Sequence, residues 1–271
     1  MAHPLKLLAI FAHPDDESLG AGSTLAKYAA EGVDTYLICA TRGERGWAGR
    51  QEDNPGLAAL GQIRERELRC AAQTLGIKQT FFLDYIDGDL DQAHAPEAIG
   101  KIASLIRQVR PDVVLSFGPD GAYGHPDHIA ISQFATSACI LAADSSYEDM
   151  LGLSPHVVRK FYFMVVDKEL DATYASVFGK TEMEIDGTIR SDITWEDWAC
   201  TTTIDGSAHW RTALDAVNCH RSQVEIYKDL NRLSEARSMK LWGKRMYYRV
   251  FSLVETNGKR EDDFFEGIRS Y

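Results

Sequence analysis

The feature that most constrains the fold is a repeat of block types through the first half of the chain. Four short β-rich apolar runs, KLLAIFA, DTYLICAT, QTFFLD and DVVLSFG, are separated by stretches with helical spacing. SLGAGSTLAKYAAEG stops at Gly32, LAALGQIRERELRCAAQTLG stops at Gly76, and APEAIGKIASLIRQVR has Pro96 near its start and Pro111 just past its end. Strands alternating with helices predict an α/β fold, a Rossmann-like, mostly parallel sheet with right-handed crossovers and helices on both faces. After residue 150 the pattern loosens. VVRKFYFMVV, TEMEIDG and RMYYRVFSLVE read as strands, HWRTALDAVNCHRSQVEIY as one helix, and the acidic tail EDDFFEGIRS as a segment that docks or frays. With no linker, repeat or low-complexity tract, the expectation is a single domain over 1–271. Residues 1–150 form its core, and a C-terminal segment, 151–271, completes the cleft.

A parallel sheet binds ligands beyond the carboxyl ends of its strands, near the point where strand order reverses. AHPDDE follows the first apolar run and YGHPDH follows the fourth, so both motifs lie on that edge. Acidic residues at a strand-to-helix junction can simply cap the helix, with Asp15 or Asp16 accepting backbone N–H groups and Glu17 favoured by the macrodipole. Alternatively, a turn at Pro14 lets His13 and Asp16 converge on one ion while Asp15 points beside it. In the second motif Pro126 suits a first helical turn, which puts His125 and His128 on one side. One of the two can ligate while the other touches substrate, and Asp127 can accept a ring N–H and fix a tautomer. Two histidines and an aspartate with an open position match a catalytic zinc, one Zn²⁺ per chain, and Asp15 is then the base beside its water.

Composition narrows the class. The chain has 271 residues, enough to bury roughly three-quarters of its unfolded surface, with 45% apolar and 25% charged residues, as in ordinary globular proteins. A formal charge of −11 leaves no basic excess for phosphates, so a nucleic-acid partner is not expected. No run approaches a membrane span, and LKLLAIFAH is too short for a signal-peptide core. The five cysteines are odd in number, widely spaced and mostly in apolar runs, which predicts reduced core residues and a cytoplasmic location.

AHPDDE, together with GHPDH after a strand ending in FGPDG, resembles the PIG-L/LmbE family of zinc-dependent N-acetylglucosaminyl deacetylases. TRGERG, IRERELRCAAQTLG and CHRSQ extend the resemblance, which covers residues 6 to about 130 well and 210–225 in outline. It implies hydrolysis of the N-acetyl group of a small-molecule sugar substrate of GlcNAc type. By motif position it implies His13, Asp16 and His128 as zinc ligands and Asp15 as general base. His125 would stabilise the oxyanion or protonate the leaving nitrogen, and Tyr123 would assist at the oxyanion. Arg64, His220 and Glu17 form the implied substrate-binding set. For Arg64 a salt bridge to Glu67 or another helix carboxylate is the competing reading, and for His220 a supporting role behind the cleft. Trp47 either stacks on a ring or closes its loop onto the core. Family members are often homo-oligomers. Three other activities compete: an amidase for a bulkier N-acyl sugar conjugate, as in mycothiol-conjugate detoxification, a non-haem Fe(II) oxygenase, and a carbohydrate-binding module.

Overall fold

The computed structural model describes residues 4–269 except 181, 186, 257 and 259. In chain order its elements are β1 (Lys6–Phe11), α1 (Asp16–Ala30), β2 (Asp34–Thr41), α2 (Leu57–Leu75), β3 (Gln79–Tyr85), α3 (Ala95–Val109), β4 (Val113–Phe117), α4 (Gly121–Gly124) and α5 (Pro126–Ala143). There follow β5 (Lys160–Met164), α6 (Lys168–Phe178), β6 (Glu182–Ile185), β7 (Thr188–Ser191), β8 (Thr202–Asp205), α7 (Trp210–Val217), α8 (Val224–Tyr227), α9 (Glu235–Trp242) and β9 (Lys244–Ser252). Seven strands form one sheet in the order β3-β2-β1-β4-β5-β9-β8. Strands β1 to β5 run parallel, while β9 and β8 add antiparallel neighbours at one side.

Leu7 to Phe11 of β1 are all fully buried, as a strand covered on both faces requires. Helices α3 and α5 pack together, and α1 packs on α2 and α7. Strand order reverses between β1 and β4, so AHPDDE and YGHPDH emerge side by side at the switch point. The expected α/β architecture is therefore present. The acidic tail docks: Phe264 and Phe265 are fully buried against Tyr28, each worth about 1.5–3 kcal/mol of transfer free energy. Buried Glu261 meets Lys160 Nζ at 2.7 Å.

Two sequence expectations need correction. The segment read as one helix after His209 is broken: α7 ends at Val217, and Asn218 to Gln223 run through turns before α8. Its CHRSQ stretch is instead held by side chains. The Ser222 N–H and Oγ–H bond Glu67 (2.8 and 2.7 Å), and Gln223 donates to the Gly46 carbonyl. The cysteines are not all reduced. Cys39, Cys139 and Cys200 are free and buried, but Cys70 of α2 and Cys219 form a disulfide with Cα atoms 5.8 Å apart. The sequence separation of 149 residues hides this pairing, because only the packing of α7 on α2 brings the two together. In the chain-entropy picture a loop that long contributes about 4–5 kcal/mol. Cys70→Ser is therefore expected to lower Tm by several degrees under oxidising conditions and to leave it unchanged in excess reductant, read by calorimetry.

Candidate active site

Past Phe11 the chain turns, and Asp16 makes the turn by accepting the N–H groups of Ala12 (3.2 Å) and His13 (2.8 Å) on Oδ2. Asp15 sits at φ 108°, a left-handed conformation that costs a non-glycine residue about 1–3 kcal/mol. Glu17 holds it there, since its Oε2 accepts the Asp15 N–H at 3.0 Å. Ser18 and His220 Nε2 (2.9 Å) bond the other oxygen, Oε1. Asp15 forms no side-chain cap; the backbone N–H groups at this junction are taken by Asp16 and Glu17 instead. Burial opposes charge on Glu17 and on His220, but each stabilises the other: the Glu17 pKa is lowered and that of His220 raised. Both are almost completely buried and neither lines the cavity. Expected among the substrate-binding residues, they lie instead behind the cavity wall, where Glu17 bonds the Asp15 N–H and His220 bonds Glu17.

His13 Nδ1 lies 3.2 Å from His128 Nε2, and the Asp16 carboxylate lies 3.8 and 3.5 Å from these nitrogens. Behind them, His13 Nε2 meets Asp127 Oδ2 at 3.0 Å and Asp87 Oδ1 at 3.1 Å, and His128 Nδ1 meets the Gly121 carbonyl at 3.3 Å. These rear acceptors place the ring protons on the far nitrogens, so two lone pairs and a carboxylate face one point. That arrangement is repulsive without a cation and matches a metal site with its outer partners in place. Without one, a proton substitutes. Burial works against charging His13, but its bonds to Asp127 and Asp87 and the nearby carboxylate charge outweigh this and raise its pKa to about 10. Burial also raises Asp16 to about 7.

A second set, His13, His125 and Asp127, brings ligand atoms within 4.8 Å of one another. Asp127, however, is spent on the N–H groups of Gly88 (2.7 Å) and Leu90 (3.1 Å) as well as on His13. Asp127→Asn is expected to weaken metal binding by about 10–100-fold, measured by competition with a chromogenic chelator.

Asp15 Oδ2 accepts from Tyr227 Oη (2.8 Å) and Arg64 Nη2 (3.1 Å), while Oδ1 accepts no hydrogen bond from a described residue. Arg64 also bonds the carbonyls of Pro14 and Gly43 (2.6 and 3.0 Å). A Cβ at Gly43 or Gly46 would run into its guanidinium, which is why the loop after β2 carries glycine at both places. Arg64 lines the cavity yet is 4% exposed, so its first role is to hold Asp15, and no bridge to Glu67 forms. Trp47 is not at the cavity wall; its Nε1 bonds Arg50 O within the loop.

His125 accepts the Asp127 N–H on Nδ1 (3.1 Å), which leaves the proton of the neutral ring on Nε2. Its ring stacks on His128, with centroids 4.7 Å apart. Burial and the neighbouring His13 push its pKa down to about 4. Tyr123 packs edge-on to both His125 and His128, and burial and surrounding carboxylates raise its phenol above the usual range. His13, Asp15, Asp16, Arg64, Asp87, Tyr123, His125, His128 and Tyr227 open onto one cavity of about 760 Å³, whose lining is largely apolar. Asp87 and Tyr227 were not singled out in the sequence. Asp87 had a usable signal, DYIDGD directly after β3 on the carboxyl edge, whereas Tyr227 had none.

Motifs at the switch point, a His-Asp-His set and a carboxylate beside it define the class. The chain belongs to the GlcNAc-PI de-N-acetylase family, PIG-L, whose model matches residues 8–139. Its sequence is 32% identical to the 1D-myo-inositol 2-acetamido-2-deoxy-alpha-D-glucopyranoside deacetylase of Streptomyces avermitilis, with 97% of each chain covered. Among solved structures it resembles the N,N'-diacetylchitobiose deacetylase of Pyrococcus horikoshii (TM-score 0.68, 21% identity, 90% of this chain and 83% of that one). It also resembles the 4-carboxy-2-hydroxymuconate hydratase of Pseudomonas putida KT2440 (TM-score 0.70, 20% identity, 93% and 99%). At those identities the likeness is one of fold, and two different reactions on one fold mean that the chemistry has to be argued from the site.

Proposed function

We propose that this chain is a metal-dependent N-deacetylase that hydrolyses the acetamide of an N-acetylglucosamine conjugate, releasing acetate and a free amine, with one zinc ion per chain. The observation that carries the reading is the facing pair of ring nitrogens, 3.2 Å apart beside Asp16, with the Asp15 carboxylate next to them in the same cavity. His13, Asp16 and His128 would hold the ion. When bound, a divalent cation there supplies Lewis-acid polarisation of the amide carbonyl and acidifies a water. Asp15 takes a proton from the attacking water on its uncommitted Oδ1 and returns it to the departing nitrogen, while Arg64 and Tyr227 fix its orientation. His125 donates from Nε2 to the oxygen on which charge develops, because its Nδ1 is already engaged by the Asp127 N–H. Tyr123 remains protonated and adds a second donor at the same wall.

A base beside the ligand set and a parallel sheet favour hydrolysis over Fe(II) oxygen chemistry, which has no use for Asp15. Nothing in the site favours a bulkier acyl group over acetyl. A cytoplasmic location goes with this proposal, supported by the three unpaired cysteines, while the Cys70–Cys219 bridge counts against it. None of the described helices is long and apolar enough to cross a membrane. The test is release of acetate and primary amine in one-to-one ratio from a panel of N-acetylglucosaminides, including the inositol conjugate, beside their N-hexanoyl counterparts. Faster cleavage of the hexanoyl amides would replace this reading with the amidase.

A further inference from the structure

Beyond β5 the chain leaves the main sheet and forms the hairpin β6–β7, a two-stranded sheet of its own. A lone hairpin is marginal in water, so its stability depends on what it docks against. It packs on α4, the one-turn element that carries Tyr123, and its Glu182 and Met183 line the cavity beside the metal-ligand set.

The Tyr123 turn is held in a conformation that alanine avoids. Ala122 has φ 62° and ψ −81°, close to the classic γ-turn, which is rare and strained. Such strain persists only where the surroundings over-determine it, and here they do. The carbonyls on either side of Tyr123 are both engaged by the hairpin and the residues after it. The Ile193 N–H donates to the Ala122 carbonyl at 3.0 Å, and Arg190 Nη1 donates to the Gly124 carbonyl at 2.8 Å. The Ala122 N–H goes to Asp120 Oδ2 (3.0 Å), and Trp195 Nε1 donates to the other oxygen of Asp120 (3.1 Å). Trp195 is fixed in turn by its own N–H, which donates to the Val166 carbonyl at 2.8 Å. Gly124, at φ 78°, lets the Arg190 stem lie across the backbone, because a Cβ there would stand 2.8 Å from Arg190 Cδ. Of these ties, that of Arg190 comes from the hairpin itself, uses a charged donor, and can be removed without altering the backbone.

We propose that Arg190 is a positioning residue for Tyr123: its bond to the Gly124 carbonyl latches the turn to the hairpin and sets the angle at which the phenol meets the cavity. This rests on the deacetylase reading, in which the Tyr123 hydroxyl donates to the developing oxyanion. Tyr123→Phe is expected to lower kcat by about 10²-fold. Arg190→Met keeps the stem over Gly124 and removes the donor; it should lower kcat by about tenfold, with KM within about twofold of wild type. A group that acts through Tyr123 has nothing left to act on once the hydroxyl is gone. Adding Arg190→Met to Tyr123→Phe should therefore cost less than about twofold more. Arg190→Lys retains a charged donor and should recover most of the loss. Metal per chain should stay at the wild-type level throughout, because the His128 ring is held by the Gly121 carbonyl at the other end of the turn.

A second readout needs no turnover. In protein labelled with 3-fluorotyrosine, the fluorine resonance that disappears in Tyr123→Phe should shift or broaden in Arg190→Met and return toward its wild-type position in Arg190→Lys. Equal losses from Arg190→Met in the two backgrounds, an unchanged kcat, a parallel loss of metal, or an unmoved resonance overturns the proposal. Should Arg190→Met not fold, Arg190→Gln, too short to reach that carbonyl, takes its place. A displaced resonance in a protein that releases acetate from no N-acetylglucosaminide keeps the latch and removes the deacetylase reading. Acetate release with kcat and resonance both untouched by Arg190→Met does the reverse.

Discussion

Asp15→Asn is expected to lower kcat for acetate release by about 10³-fold while the protein still carries one metal ion per chain. The asparagine fills the same space and still accepts the hydrogen bonds of Tyr227 and Arg64, so geometry is conserved and only the proton acceptor is lost. Arg64 loses its counter-charge at a buried position, and a modest fall in Tm should accompany the change. The decisive comparison is turnover against metal content in one preparation. Activity within tenfold of wild type would remove Asp15 as the base. Loss of metal in parallel would make it a ligand instead.

His128→Ala is expected to abolish both properties at once. Its Nε2 is one of the two nitrogens facing the site, and its ring stacks flat on Phe117 at 3.9 Å between centroids. Metal per chain should drop to near zero by elemental analysis, and acetate release by at least about 10⁴-fold, the scale of losing a metal-assisted step outright. Chelation of the wild-type protein should reproduce the loss, and added zinc should restore activity to the wild-type protein and not to the variant. Chelator-resistant turnover in metal-free wild-type protein would end the metal-dependent mechanism.

What could be read from the chain was local. The strands β1 to β4 and the helices between them are fixed by side-chain period and by stops such as Gly76, at φ 76°, so their order of types was visible in the residues themselves. The two motifs were visible for the same reason, each being a turn written in a few consecutive residues. Features made by distant pairing were not. Strand β8 is four residues long and exists because β9 lies beside it. Cys70 meets Cys219 only through helix packing, and Tyr227 reaches Asp15 from more than two hundred residues away. Glu17 looked like part of a ligand-binding cluster, and the structure gives its charge to His220 and its geometry to the backbone of Asp15. Arg190 stands in the polar stretch DGTIRSDIT, and no spacing marks it as the partner of the Gly124 carbonyl.

Both ends of the cavity wall are supplied by separate stretches of polypeptide. His13, Asp15, Asp16, Arg64, Asp87, Tyr123, His125 and His128 come from the five-stranded parallel part, whereas Leu170, Tyr174, Phe178, Ile226 and Arg245 come from the polypeptide beyond β5. The later polypeptide is not a mere wall, however: Tyr227 reaches back to the Asp15 carboxylate and His220 to the Glu17 that holds the Asp15 backbone, so a change in the C-terminal segment is felt at the centre of the parallel part.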